Sequence, residues 1–145
     1  MDIGMLGEIG VGISFGFAVI GSVIGTVLVV PATIGAWKKS FVQNKPAPFI
    51  MVAFAGMPLT NIIYGFITMN YLAASVSLSG LQLFITGLVA GIGIGGAGYV
   101  QCYSAACASE AFAETGQGFG NYMMVLGICE TVALFIMVFI MMFAG

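Results

Sequence analysis

Residues 119–145 read FGNYMMVLGICETVALFIMVFIMMFAG, and Glu130 is the only side chain in that stretch charged at neutral pH. The run is long enough for a helix to cross a bilayer, which takes about 20 apolar residues. A charge at the centre of such a helix costs roughly 2.5–3.5 kcal/mol on insertion scales. Nothing in packing calls for a glutamate there, so Glu130 reads as a site for an ion or a proton.

The rest of the chain agrees with a lipid environment. Of 145 residues, 61% are hydrophobic and only 6% charged, and the mean hydropathy is +1.16. A soluble domain of this length has too little interior to hide that much apolar surface. The net charge is −2, with three Lys+Arg and no His, which leaves no material for nucleic-acid binding or histidine catalysis. Four apolar runs are predicted to span, at about residues 9–33, 47–74, 81–109 and 119–143. Runs this long and continuous suit helices and not barrel strands. The fold expected is an all-α membrane protein. The N-terminus has no Lys or Arg before Lys38, so it does not read as a secretory signal and the first span is expected to stay.

Lys38, Lys39 and Lys45 all lie in the connection between spans one and two as read from the sequence, and by the positive-inside rule that connection is cytoplasmic. Both termini and the turn at 75–80 (SVSLSG) then lie outside or in a lumen. The second cytoplasmic connection carries Glu110 and Glu114. Acidic and basic connections on one face can pair, meet a soluble partner, or simply be solvated.

The spans read as a duplicated pair, with residues 1–74 as one helical hairpin and 75–145 as a second. Sliding the first span by 81 residues lays GVGI at 10–13 over GIGI at 91–94, and sliding the second by 69 lays Phe66-Ile67 over Phe135-Ile136 and Asn61 over Glu130. Spans one and three are dense in glycine, including Gly12/Gly16, Gly21/Gly25, Gly87/Gly91 and Gly91/Gly95 at four-residue spacing. Glycine weakens a helix by about 1 kcal/mol relative to Ala, so its density points to close backbone approach. The expectation is that these two spans crowd together across subunits, as the inner layer of a ring.

A carboxylate in lipid needs oxygen-bearing neighbours to hold a cation or exchange a proton in a controlled way. Span two offers Met57-Pro58-Leu59-Thr60-Asn61-Ile62-Ile63-Tyr64. Thr60, Asn61 and Tyr64 share one helical face by their spacing. Pro58 removes a backbone hydrogen bond and frees a carbonyl near residue 54. Gln101 is the one amide in the apolar part of span three. Taken singly, Thr, Asn and Gln serve as helix–helix glue at about 0.6 kcal/mol each; the glutamate is what gives the group another purpose. Cys102, Cys107 and Cys129 match no metal spacing and read as small apolar fillers.

These residues carry a resemblance. The chain resembles the proteolipid (c or K) subunit of V-type and A-type rotary ATPases in its duplicated four-helix form. The glycine-rich first span, Pro58-Leu-Thr60-Asn61-Ile-Ile-Tyr64-Gly65-Phe66, Gln101 and Glu130-Thr131 carry it, over nearly the whole length. It implies four transmembrane helices as two tandem hairpins, with identical subunits in a membrane ring, spans one and three inside. Glu130 would carry the ion; Thr60, Asn61, Gln101 and the Met57 carbonyl would complete its cage, and Tyr64 would hydrogen-bond Glu130. With Asn61 in place of a second carboxylate, each subunit would carry one ion.

Sodium-coupled members of that family have Gln where this chain has Asn61, one methylene shorter. Five oxygen-bearing groups near Glu130 still favour Na⁺ over H⁺. The resemblance further implies lipid, a stator subunit (a or I) and central-stalk subunits as partners, no organic cofactor, and no catalysis by this subunit itself. Two other classes stay open: a four-span multidrug exporter with Tyr64, Tyr99 and Tyr103 around a cation cavity, and a structural ring that exchanges no ion.

Overall fold

The computed structural model describes residues 2–145, and among them there is no strand. Four helices are long and apolar enough to cross a membrane: α1 (Ile3–Val42), α2 (Phe49–Ala74), α3 (Gly80–Thr115) and α4 (Phe119–Ala144). They have 40, 26, 36 and 26 residues. At about 1.5 Å per residue, α1 runs for about 60 Å, twice the hydrocarbon thickness.

The predicted ends of spans one and three fall short, for a physical reason. Loss of hydropathy marks where lipid ends, whereas a helix continues until a residue stops it. After Thr33 nothing stops the helix until Asn44, and Pro31 is carried inside α1. The stop comes at Asn44, with a left-handed φ of 54°, followed by Pro46 and Pro48. Similarly α3 continues to Thr115 and ends on Gly116, φ 64°. Lys38 and Lys39 therefore stand on the last turns of α1, and Glu110 and Glu114 on α3. Lys39 Nζ meets Glu114 Oε1 at 2.7 Å within the one chain.

Helices α1 and α3 lie against each other along most of their length. The buried positions of α1 are Gly7, Gly10, Ser14, Ala18, Ser22, Gly25, Val29, Thr33, Ala36 and Ser40. They recur every three or four residues, one stripe of a helix, and nearly all are small. A Cβ on Gly21 would overlap the backbone of Gly95, one on Gly87 the carbonyl of Gly10, and one on Gly95 the carbonyl of Phe17. Within the one chain, then, these glycines bring α1 and α3 into direct backbone contact. Gly12, Gly16 and Gly96 instead have nothing within 4 Å of an added Cβ.

Helices α2 and α4 form a second layer on this pair. Gly65 of α2 seats against Ala18 of α1, and Phe15 meets Phe66 edge to face at 6.1 Å between centroids. Toward the lysine-bearing end, Phe54 is buried among Phe112, Phe119 and Tyr122. At the opposite end Ser75 and Ser77 each donate a hydroxyl to the Ala144 carbonyl at 2.8 Å. Ser79 caps α3 there, in a reciprocal box with Gln82. The outer surface is apolar, with Ile20, Val27, Ile63, Phe135, Phe139 and Met142 exposed. Apolar exposure on this scale is untenable in water.

Candidate functional site

Helix α2 changes gauge where the site begins. Pro58 has no N–H to give, and the α-helix of Val52–Gly56 tightens to a 3₁₀ turn at Met57–Leu59 before resuming at Thr60–Ala74. The Thr60 hydroxyl donates to the Met57 carbonyl at 2.8 Å. Two of the expected ligand oxygens are thus bonded to one another.

One turn further on, Tyr64 donates its hydroxyl to Glu130 Oε1 at 2.9 Å. Glu130 is half-buried on α4. No hydrogen bond joins its carboxylate to Thr60, Asn61 or Gln101 among the described residues.

Asn61 and Gln101 are fully buried and face each other, Asn61 Nδ2 donating to Gln101 Oε1 at 2.5 Å. Gln101 Nε2 donates to the Leu126 carbonyl at 3.2 Å. In an α-helix that carbonyl belongs to the turn immediately before Glu130, so Gln101 is anchored beside the carboxylate's own turn. Asn61 Nδ2 also reaches the Pro58 carbonyl at 3.3 Å. Asn61 Oδ1 is buried with no hydrogen-bond partner among the described residues. An unmet acceptor in the interior costs about 1–3 kcal/mol, and a cation or a donor would relieve it.

The six expected residues therefore fall into three bonded sets in one region: Tyr64 with Glu130, Asn61 with Gln101, and Thr60 with the Met57 carbonyl. Their ligand atoms are all oxygens, the donor set that a hard cation takes. Glu130 is the one formal charge among them, so one monovalent cation or one proton would make the group neutral. The sequence reading missed Ser22 and Gly98, which adjoin Asn61. A Ser in a run of small residues reads as packing, and nothing in its spacing points across to α2.

Residues 84–143, most of α3 and nearly all of α4, match the family model that describes the C subunit of ATP synthase. The match includes Gln101 and Glu130 and leaves α1 and α2 outside it. No curated protein matches the chain.

Proposed function

We propose that this chain is a rotor-ring subunit of a V- or A-type rotary ATPase, in which copies of the chain form a membrane ring and each carries one Na⁺ on Glu130. The observation that carries this is the lone half-buried carboxylate of α4, held by Tyr64 beside a buried amide pair, in the hairpin that matches the ATP synthase family model. The duplicated form rests on the repeat of glycine-rich and site-bearing spans, with Asn61 standing where the second hairpin has Glu130.

In lipid the carboxylate must be neutralised, because an isolated charge there is expensive. Na⁺ with oxygen ligands does this, and the unpartnered Asn61 Oδ1 is an oxygen such a cation would take. Against a stator subunit, water-filled access and an opposing positive charge would favour the empty, ionised form. One charge crossing 100 mV is worth about 2.3 kcal/mol, so rotation exchanges work with ATP chemistry carried out by other subunits. The lysine-bearing end is assigned to the cytoplasm, where central-stalk subunits would dock.

Carbodiimide labelling of Glu130 in the purified protein tests the reading, since the reagent attacks a protonated carboxyl in an apolar place. Labelling suppressed by Na⁺ and not by K⁺ is the expected result. Labelling indifferent to Na⁺ would make the rotor proton-coupled, and no labelling in acid would sink the ion site altogether.

A further inference from the structure

No residue of α1 belongs to the expected ion cage, yet one α1 side chain ends beside it. Ser22 is fully buried, and its Oγ donates to the Pro58 carbonyl at 3.3 Å. That same carbonyl accepts Asn61 Nδ2 at 3.3 Å. A Cβ on Gly98 would lie 2.8 Å from Ser22 Oγ and 3.3 Å from Asn61 Cβ. The methyl that Gly98 lacks is therefore the space in which hydroxyl and amide sit together. Helices α1, α2 and α3 meet at this point, one hydrogen bond removed from Gln101.

We propose that Ser22 is a positioning residue of the ion site, acting through Asn61; this rests on the reading of Glu130 as the carrier of Na⁺. The Asn61 amide has two protons, one on Pro58 and one on Gln101 Oε1. In that arrangement the Gln101 oxygen is masked and the Asn61 oxygen has no partner. A cation needs both oxygens, so Nδ2 must leave Gln101 and the amide must turn. Turning also withdraws one of the two side-chain donors from the buried Pro58 carbonyl, which apart from these keeps only the Thr60 backbone N–H. Ser22 remains on that carbonyl throughout. Its hydroxyl lowers the cost of releasing Asn61, and so favours the cation-bound arrangement. Gly98 makes the exchange possible by leaving room for both groups.

The experiment is Na⁺ protection of Glu130 from carbodiimide in the purified full-length protein, compared among wild type, Ser22→Ala, Asn61→Ala and the double variant. Ser22→Ala should raise the Na⁺ concentration for half-protection about fivefold, the worth of one ordinary hydrogen bond, and leave the labelling rate without Na⁺ unchanged. In the Asn61→Ala background the same change should have no further effect, because the residue it acts through is gone. Gly98→Ala presses on both side chains and should shift half-protection in the same direction, so it carries the test if Ser22→Ala is not recovered folded. Unchanged half-protection, or an equal shift in the Asn61→Ala background, would reduce Ser22 to packing and overturn the proposal. Wild type that labels without Na⁺ protection would also overturn it, leaving Glu130 as a proton carrier. Wild type that never labels would defeat the reading of Glu130 itself.

Discussion

The seam between α1 and α3 and the contact between α2 and α4 are built in opposite ways. Along the seam, backbone lies on backbone, with Gly10, Gly21, Gly87 and Gly95 leaving no room for even a methyl group. Around Glu130, side chains reach across by single hydrogen bonds, next to a 3₁₀ turn, with the carboxylate only half-buried. Close packing of this kind is rigid and resists small displacements, whereas a hydrogen-bonded carboxylate can change partners. A fixed pair of helices behind a carboxylate on α4 that can exchange its ligand is the division of labour that the proposed ion loading requires.

The seam should break first and most severely. Gly21→Val puts a branched side chain against the Gly95 backbone, where no side-chain rotation relieves the clash. The expected penalty is about 3 kcal/mol or more, seen as loss of folded protein in detergent and a lowered thermal midpoint. Gly12→Ala, with nothing within 4 Å of the added carbon, should leave the isolated subunit's midpoint unchanged. Equal tolerance of the two would mean that the helices do not touch as described.

Next in size is an effect on function alone. Glu130→Gln keeps the volume and removes the charge, so the protein should fold and assemble but show no carbodiimide labelling and, in the rotary complex proposed above, no ion uptake after reconstitution. Retained ion uptake would place the ion elsewhere. Tyr64→Phe removes the one hydroxyl bonded to the carboxylate. Bonds to charged groups are worth about 1.5–3 kcal/mol, so Na⁺ half-protection should rise about tenfold or more with folding intact. A change smaller than twofold would show that Tyr64 does not hold the carboxylate.

The two regions were also unequally legible in the sequence. Lipid demands apolar helices, so the four spans stood out, and Glu130 stood out because a charge there has no structural excuse. The four-residue glycine spacing announced close packing but carried no information on whether the partner helix lay in the same chain. The i, i+3 and i+4 relations among Thr60, Asn61 and Tyr64 put them on one face. They did not reveal that Thr60 turns to the Met57 carbonyl or that Gln101 bonds Leu126 and not the carboxylate. The Thr60 bond is a rotamer choice within its own helix; the Gln101 bond depends on the axial offset of neighbouring helices, which is set by where glycines allow contact. Ser22 was hidden for the same reason.

The smallest expected effect asks whether charge or contact holds the seam at its lysine-bearing end. Lys39 and Glu114 join the same two helices as the glycines do, at 2.7 Å but with both side chains exposed to solvent. Lys39 holds the Glu114 carboxyl below its usual value of 4.5, first by the hydrogen bond and then by its charge. A depressed carboxylate stabilises the fold above its ordinary value and loses that contribution as the pH falls through the lower, folded value. Whatever the pair contributes is therefore complete at neutral pH and disappears only in acid below 4.5. Exposed pairs are screened by water and salt, and a few residues away Thr33 and Ser109 already bridge the helices with buried hydroxyls 3.0 Å apart. Lys39→Met should accordingly leave the thermal midpoint at pH 7 unmoved, and should change it no more in low salt than in high. A marked drop that salt abolishes would mean that the seam is closed by charge at this end, and that the glycine contacts alone do not hold the two helices together.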